Sequence, residues 1–363
     1  MTCAAKRRSD RAAGPTGTHQ PEGKAPWTGA AISSHGFVPV LGRGTGRAAQ
    51  LYRPPGAGDT GAPTVHAVRT VRQAWNEALY GPNGRYRTGG RDFHTALTDP
   101  ITGPAMCAAL ARLAHQVDAA LGWPEGFQVV DLGAGTGAFL AWLAADEATP
   151  ARWRLTGIEL APRPALCPRI GWRAELTEIA AGFLLAHEWL DDIACEVLRE
   201  GRLLLSDGSL GAAPEAADRA WLEGWWPGWR AEDAECGRAR DEAWAGAVSV
   251  LGTGLSLAVD YGHRRSTRRS TLTGFRGGRQ VPAVFDGSSN VTAHVALDAL
   301  AAAVTGSVLR SQRESLLALG IDATLPPVLT ATGLQGANAA ATLLDPDGYG
   351  GFGWVSVARG LAG

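Results

Sequence analysis

Residues 127–143 have the sequence FQVVDLGAGTGAFLAWL, in which a short apolar run leads through a glycine-rich loop into a second apolar run. The run from Phe127 to Leu132 has the length and composition typical of a buried parallel strand. The residues from Ala138 to Leu143 have helical character. The stretch therefore predicts the strand, loop and helix of an α/β ligand-binding unit.

The loop contains three alternate glycines, Gly133, Gly135 and Gly137. Glycine lets the backbone turn sharply and lets a ligand come closer than a Cβ atom would permit. The free amides at the start of the next helix favour an anionic group, which the methionyl carboxylate of S-adenosylmethionine or the pyrophosphate of a dinucleotide would supply. The spacing of Gly133, Gly135 and Ala138 also satisfies the looser dinucleotide fingerprint.

Asp131 precedes the loop and favours the first of these two cofactors. Its carboxylate would repel a pyrophosphate, whereas it suits a molecule that carries an ammonium and a sulfonium. Glu159 ends the next predicted strand and can accept hydrogen bonds from the ribose of either cofactor. We therefore predict that Asp131, Gly133, Gly135, Gly137 and Glu159 bind S-adenosylmethionine; a nicotinamide or flavin site and a ligand-free turn are the alternatives.

The composition excludes several other classes of protein. The chain of 363 residues has 34 basic and 35 acidic side chains, so its net charge of −1 gives no electrostatic reason to expect a nucleic acid or membrane partner. Its five cysteines form no CxxC pair and there is no histidine cluster at zinc spacing, so we predict no metal site and a cytoplasmic location. The sequence does not predict an oligomeric state.

Strand and helix patterns alternate along most of the chain. Residues 1–63 are rich in Gly, Pro, Ser and Thr, which predicts a mostly disordered extension before a single domain over residues 64–363. Predicted helices span residues 64–80, 99–121, 295–303 and 313–319, and predicted strands span 127–132, 153–160, 182–187, 255–260 and 354–358. The pattern indicates an α/β, Rossmann-like fold with a doubly wound, mostly parallel sheet. Residues 212–251, with five tryptophans, predict a helical insertion that covers the site or the sheet.

An acidic segment follows the predicted strand 182–187, in the sequence His187-Glu188-Trp189-Leu190-Asp191. Carboxylates at the carboxyl edge of a parallel sheet lie beside the ligand crevice, so Glu188 and Asp191 are candidate catalytic residues that would orient a cationic methyl acceptor. Paired carboxylates hold a guanidinium in a bidentate manner. The other interpretation is a solvated acidic turn. The segment lacks the Asn-Pro-Pro-Tyr pattern of many amide and nucleobase methyltransferases, which disfavours a nucleic acid substrate.

Several ordered stretches over about residues 65–358 resemble the MidA-like family of S-adenosylmethionine-dependent methyltransferases. The matching segments are Ala78-Leu79-Tyr80-Gly81-Pro82, Gly84-Arg85-Tyr86, Asp92-Phe93-His94-Thr95, the loop at Asp131, Glu188-Trp189-Leu190-Asp191, Asp260-Tyr261-Gly262, Thr271-Leu272, Val291-Thr292-Ala293-His294-Val295 and Gln312. The chain departs from the family at three positions, where His187 replaces Asn, Ala194 replaces Pro and Asn290 replaces Asp.

The resemblance implies a methyltransferase of Rossmann-like fold, and its mitochondrial members methylate a protein arginine. Arginine in a protein substrate is therefore the predicted acceptor. Two rivals stay open: a non-catalytic assembly or scaffold factor, suggested by His187 and Asn290, and a small-molecule methyltransferase, in which the tryptophan-rich insertion closes an apolar lid. Tyr80 and Tyr86 are predicted either to wall the pocket or to pack in the core, and His294 either to position the acceptor or to be structural.

Overall fold

The computed structural model describes residues 68–88, 94–325 and 330–361. The disordered extension predicted over residues 1–63 lies outside the described residues. The described helices are α1 (Val71–Tyr80), α2 (Gly103–Ala120), α3 (Ala138–Ala145), α4 (Ala216–Trp225), α5 (Arg238–Ser249), α6 (Leu297–Ala302), α7 (Gln312–Ala318) and α8 (Ala331–Leu344). Within these residues no helix is long and apolar enough to cross a membrane.

The strands fall into one large sheet and three small ones. They are β1 (Gln128–Leu132), β2 (Arg154–Ile158), β3 (Ile170–Arg173), β4 (Ile179–His187), β5 (Glu196–Arg199), β6 (Arg202–Leu203), β7 (Ala234–Cys236), β8 (Leu251–Asp260), β9 (Gly262–His263), β10 (Thr273–Arg276), β11 (Arg279–Val281), β12 (Asn290–Thr292), β13 (Val295–Ala296), β14 (Val308–Ser311) and β15 (Gly353–Arg359). Short 3-10 turns occupy residues 265–267 and 349–351.

The large sheet has seven strands in the order β14-β15-β8-β4-β1-β2-β3. Strands β3, β2, β1, β4 and β8 are parallel, whereas β15 is antiparallel to both of its neighbours. The chain passes from β1 outward to β2 and β3, then returns to place β4 on the other side of β1. This reversal of direction opens a crevice at the carboxyl ends of β1 and β4, where ligands bind in doubly wound folds. The predicted mostly parallel α/β fold is confirmed.

Helices cover both faces of this sheet, so neighbouring residues of one strand enter different cores. Val129 of β1 packs with residues of α2, α3 and α8, whereas Val130 packs with residues of α5 and α6. Leu185 and Leu184 of β4 divide in the same way. Burial on both faces explains the continuous apolar runs of these strands, which contain no alternating polar positions.

Helix α1 is shorter than predicted. It begins at Val71 because Thr70 caps it: the Thr70 hydroxyl accepts a hydrogen bond from the Gln73 amide and the Gln73 side chain accepts one from the Thr70 amide. Of the predicted start, residues 64–67 lie outside the described residues. Helix α2 likewise begins at Gly103 and not at Asp99.

Three other predictions are wrong in part. The segment between β2 and β4, predicted to be helical or irregular, contains the edge strand β3, whose Gly171 weakens the strand pattern. The insertion 212–251 contains β7 between α4 and α5, because residues 234–236 pair with β5. Val295 and Ala296 form a strand before α6, because they pair with Gly262 and His263. Each error depends on pairing with a distant segment.

Candidate active site

The glycine loop connects β1 to α3 in a conformation that most residues avoid. Gly133, Gly135 and Gly137 have φ angles of 73°, 56° and 71°, in the left-handed region. A Cβ atom on Gly133 would lie 2.6 Å from Cδ1 of Trp189, the residue that follows Glu188 in the acidic segment. The loop and the acidic segment are therefore in direct contact.

We expected the loop amides to be free to bind an anion, and the structure differs. The amides of Gly133 and Ala134 donate to the Ile158 carbonyl at 2.9 and 3.2 Å, and that of Gly135 donates to Oε2 of Glu159 at 2.9 Å. The Gly137 amide donates to the Ala134 carbonyl. The glycines thus provide the turn and room for close approach, while these four amides hold the loop to β2 and to itself.

Glu159 follows β2 and faces the loop with a fixed carboxylate. Its Oε1 accepts hydrogen bonds from the amides of Leu160 and Ala161 at 2.6 and 3.0 Å, in addition to the Gly135 bond on Oε2. Asp131, only 4% exposed, lies nearby. Burial, reinforced by the charge of Glu159, raises the pKa of Asp131 to about 7. Both carboxylates are placed to meet hydroxyl or cationic groups, and neither suits a pyrophosphate.

A cavity of about 960 Å³ lies at the carboxyl ends of β1 and β4. This volume is at the upper end of those of small-molecule sites. Six of the seven predicted site residues line it together: Asp131, Gly133, Gly135, Glu159, Glu188 and Asp191. The seventh, Gly137, is the N-cap residue of α3. Tyr80 and Tyr86 also line the cavity, with ring centroids 5.6 Å apart, and they pack against the hydrophobic cluster around Trp75 and Leu79, so they contribute to both the wall and the core.

Glu188 follows β4 and has an unusual backbone. Its φ of 48° lies in the left-handed region, which glutamate seldom adopts and which is more common at functional sites. Its side chain is 6% exposed, and Oε1 accepts a long hydrogen bond from the Ala96 amide at 3.4 Å. Burial, with the charge of Asp191, raises the pKa of Glu188 to about 8. The carboxyl group therefore holds a proton at neutral pH until a cation approaches.

The Asp191 carboxylate is held by hydrogen bonds from residues that are far away in the sequence. Its Oδ2 accepts hydrogen bonds from the Tyr261 hydroxyl and, at 2.8 Å, from that of Thr292, while the Leu190 and Asp191 amides donate to Asp260. Its other oxygen, Oδ1, is buried without a hydrogen-bond partner among the described residues. Burial raises the pKa of Asp191. One oxygen of this carboxylate is thus fixed by two hydroxyls, and the other is buried without a hydrogen-bond partner among the described residues.

Asp192 is a third acidic residue of the cavity wall, and the sequence pattern does not predict it. Its carboxylate contacts the Tyr86 hydroxyl and accepts a hydrogen bond from Nδ2 of Asn290 at 3.3 Å, and its carbonyl accepts one from Tyr80. Burial and the charge of Asp191 raise the pKa of Asp192 well above its usual range. The only sequence signal was its position next to Asp191, because its partners come from residues 80–86 and β12.

Arg240 of α5 lies beneath this acidic segment but forms no ion pair with it among the described residues. Its guanidinium donates to the carbonyl oxygens of Asp191, Ile193, Ala293 and His294 at 2.7 to 3.0 Å. The arginine therefore ties the acidic turn to residues 293–294 through the main chain, and its charge opposes, without cancelling, the effect of burial on the pKa of Asp191.

Two other candidates have structural positions. The His294 amide donates to the Thr271 hydroxyl, and its ring packs edge-on against Tyr261 with centroids 5.1 Å apart. Asp260 and Tyr261 likewise support the acidic segment through hydrogen bonds, whereas Gly262 pairs with Val295. Within residues 68–88, 94–325 and 330–361, no group of three or more His, Cys, Asp or Glu side chains has the arrangement of a metal site.

The surroundings of Glu188 predict an unusual effect on stability. Because its pKa is raised from 4.5 to about 8, ionisation opposes folding, and the free energy of unfolding falls as pH rises through this interval. Glu188→Gln removes that cost, so at pH 8 we expect it to be more stable than the wild type by about 1–3 kcal/mol. The advantage should shrink toward pH 5. Urea unfolding at the two pH values measures it.

Glu235→Gln is the matched control, since Glu235 is also buried. Its carboxylate accepts hydrogen bonds from the hydroxyls of Ser270 and Thr271 and from the amides of Thr271 and Leu272. Replacing such a satisfied carboxylate should lower the free energy of unfolding by about 1.5–3 kcal/mol. A Glu188→Gln protein less stable than the wild type at pH 8 would contradict the assignment of Glu188 as a strained, unsatisfied acid.

Fold and site together define a class of protein. A Rossmann-like S-adenosylmethionine-dependent methyltransferase has a doubly wound sheet with a glycine loop at its switch point. It also has a carboxylate at the end of β2 for the ribose hydroxyls and, in this protein, an acidic wall formed by Glu188, Asp191 and Asp192. The cavity fits that cofactor, because Asp131 and Glu159 match its cationic and hydroxyl groups and the glycines leave room beside them.

The sequence matches the family model Methyltransf_28, "Putative S-adenosyl-L-methionine-dependent methyltransferase", over residues 109–314. The match spans more than half of the chain, and the protein belongs to this family. The enzyme class and the cofactor predicted from the loop are thereby confirmed, as is the resemblance to MidA-like methyltransferases. No curated protein matches the sequence.

Two crystal structures from Burkholderia thailandensis have a similar fold. One is a COG1565 superfamily member bound to S-adenosyl-homocysteine, with 23% identity and a TM-score of 0.68 over 82% of this chain and 89% of that chain. The other is the native structure of an uncharacterized COG1565 superfamily protein, with 24% identity and a TM-score of 0.69 over 82% and 88% of the two chains. At these identities the likeness shows the fold alone.

Proposed function

We propose that this methyltransferase modifies an arginine side chain of a protein substrate. The observation that carries the proposal is a cluster of three buried carboxyl groups at one end of the cavity, which form no ion pair with an arginine among the described residues. Glu188, Asp191 and Asp192 line that end, and the arginine beneath them, Arg240, donates to main-chain carbonyls. Burial raises the pKa of each of these carboxyl groups, and a cationic ligand favours their ionised forms, so such a wall suits a cation.

A guanidinium suits this wall better than an ammonium does. It presents five N–H donors in a planar fork and remains charged at all relevant pH values, so it can bridge two carboxylates at once. Oδ1 of Asp191 is a buried acceptor without a partner among the described residues, and Glu188 Oε1 accepts a bond of 3.4 Å from Ala96. These oxygens offer the acceptor sites that a guanidinium would fill.

Asp131, Gly133, Gly135 and Glu159 would hold the cofactor at the other end of the cavity. When bound, the cofactor supplies a methyl group made electrophilic by a sulfonium. The contribution of the protein is then mainly alignment, since Glu188 and Asp191 would fix the guanidinium in one orientation. The methylated nitrogen must lose a proton, and the Glu188 carboxylate, with a pKa of about 8, is suited to accept it.

Transfer of a labelled methyl group tests the proposal. The protein is incubated with methyl-tritiated S-adenosylmethionine and a cell lysate, and labelled protein is then hydrolysed and analysed by mass spectrometry. We expect label in protein, recovered as methylarginine, and none with heat-inactivated enzyme. Label in methyllysine or in the small-molecule extract would contradict the proposed acceptor while leaving the methyltransferase class intact.

The pH dependence of kcat/KM is a second expected result. In the free enzyme Glu188 is protonated below about pH 8, because burial and Asp191 raise its pKa, and only the carboxylate attracts a cation. We expect kcat/KM for an arginine peptide to rise about tenfold per pH unit and to level off above about pH 8. A profile that is flat between pH 6 and 8 would contradict the role of Glu188.

The packing of the insertion supports the proposal over a small-molecule enzyme that is closed by an apolar lid. Trp221, Trp226 and Trp229 pack together in a small core beside β5 and β7, and Trp244 packs against the central sheet. The insertion contributes Ala243 and Ala247 to the cavity wall. The tryptophans therefore stabilise the insertion and the sheet. A protein partner and a cytoplasmic location remain predictions.

A further inference from the structure

His187 is the last residue of β4 and lines the cavity. Its side chain is 1% exposed, and neither Nδ1 nor Nε2 has a hydrogen-bond partner in another described residue, although the ring interacts with the main chain of His187 itself. A neutral imidazole has one donor and one acceptor, and buried polar atoms are usually satisfied. Two unsatisfied nitrogens at the wall of a binding cavity indicate that a ligand completes them.

The His187 ring also lies close to a carboxyl group of the cavity wall. Nδ1 of His187 lies 3.6 Å from Oε1 of Glu188, a few tenths of an ångström beyond a hydrogen bond. The backbone fixes both residues, because β4 pairs with β8 through His187 and Val259 and the Glu188 amide donates to the Val259 carbonyl. Burial lowers the pKa of His187 to about 4, so the ring is neutral at physiological pH.

We propose that His187 is a substrate-binding residue, whose Nε2 accepts a hydrogen bond from the nitrogen that is methylated while Nδ1–H donates to Glu188. The proposal rests on the proposed function for the identity of that group as a guanidinium. The presence of an unfilled hydrogen-bonding site is independent of it.

The tautomer of the ring follows from the charge of its neighbour. Without a ligand, Glu188 is protonated at neutral pH, and either group can donate to the other. A cation that binds the wall favours the ionised form of Glu188, and a carboxylate can only accept hydrogen bonds. The proton of the neutral His187 ring must then be on Nδ1, which donates to Glu188. Nε2 is left as the acceptor. A cationic ligand thereby creates a second acceptor for its own N–H groups.

This arrangement selects for ligands that have positive charge and at least two N–H donors on one side. The first donor would meet the Glu188 carboxylate and the second would meet Nε2 of His187. A guanidinium meets the requirement in one plane, because its donors form a fixed fork. A ligand that carries a hydroxyl as its sole donor would leave one of the two acceptors empty.

Two substitutions at this position separate hydrogen bonding from packing. His187→Gln keeps a neutral acceptor near the position of Nε2, and we expect KM for the acceptor to stay within about threefold of the wild type. His187→Phe keeps the size of the ring without its nitrogens, and we expect KM to rise about 10- to 100-fold. His115→Asn, on α2 with its ring against Trp153, is the control and should behave as the wild type.

Calorimetric titration with S-adenosylhomocysteine confirms that each variant is folded and binds the cofactor. A wild-type KM for His187→Phe would overturn the proposal. So would a His187→Gln enzyme with unchanged KM and kcat reduced about 100-fold, because the ring would then act as a proton acceptor. If the labelled product is not methylarginine, the proposed function fails, and the same comparison on the acceptor that is found still decides the role of His187.

Discussion

Replacing Glu188 by glutamine is expected to reduce kcat/KM for methyl transfer by about 100- to 1000-fold. The amide keeps the size of the side chain but cannot attract a cation or accept its proton. The affinity for S-adenosylhomocysteine should remain within about threefold of the wild type, because the bonds that hold the glycine loop come from Glu159 and Ile158. Labelled-methyl transfer at a pH above 8 and calorimetry measure the two quantities.

Glu178→Gln is the matched control and should have wild-type activity, since Glu178 is an exposed glutamate just before β4. The same variants test the non-catalytic scaffold alternative. If Glu188→Gln transferred methyl groups at the wild-type rate, the acidic wall would not bind the acceptor. A wild type without transferase activity that still captured its partner would favour the scaffold interpretation.

Replacing Gly133 by alanine is expected to have the largest effect on cofactor binding. The residue has a φ of 73°, and its new Cβ would lie 2.6 Å from Cδ1 and 3.1 Å from Cγ of Trp189. Either the loop or the tryptophan must shift, and both belong to the segments that line the cavity. We expect the Kd for S-adenosylhomocysteine to rise at least about 100-fold, a loss of about 2.7 kcal/mol.

Gly122→Ala separates the backbone cost from the collision. Gly122 has the same φ of 73°, but no atom lies within 4 Å of the added Cβ. This variant should lose about 1–2 kcal/mol of stability, because alanine disfavours the left-handed region, and should bind the cofactor normally. If both variants bound the cofactor as the wild type does, the contact between Gly133 and Trp189 would have no role in the site.

The elements that local sequence could predict are those with strong apolar runs. Strands β1, β4 and β8 and helix α3 were recognisable because burial on both faces of the sheet leaves continuous runs of apolar residues. The local sequence does not predict strand β3, because β3 is a short edge strand that contains a glycine. The local sequence of Val295 and Ala296 predicts a helix, because only pairing with β9 makes these residues a strand.

The site was predictable where its residues share a short segment. The cofactor residues around Asp131 and the acids Glu188 and Asp191 follow strands that a pattern can detect, and the fold brings them to one cavity. The sequence does not predict that the loop amides are already hydrogen-bonded, because their acceptors, the Glu159 carboxylate and the Ile158 carbonyl, lie at the end of a neighbouring strand. The backbone of Glu188 also leaves no local signal.

The network behind the acids comes from distant parts of the chain. Tyr86 and Asn290 meet at Asp192, and Tyr261 and Thr292 meet at Asp191, across separations of up to 204 residues. No periodicity or motif connects such positions. His187 could be recognised as a departure from the family pattern, but its unsatisfied nitrogens become evident only in the folded cavity.

A crystal structure with S-adenosylhomocysteine and an arginine peptide tests most directly whether one cavity joins the cofactor to a cationic acceptor. We expect the ribose on the Glu159 carboxylate, the sulfur directed toward the acidic wall, and the guanidinium bound by Glu188 and Asp191. A nucleoside bound away from the glycine loop, or a peptide whose arginine makes no contact with these acids, would contradict it.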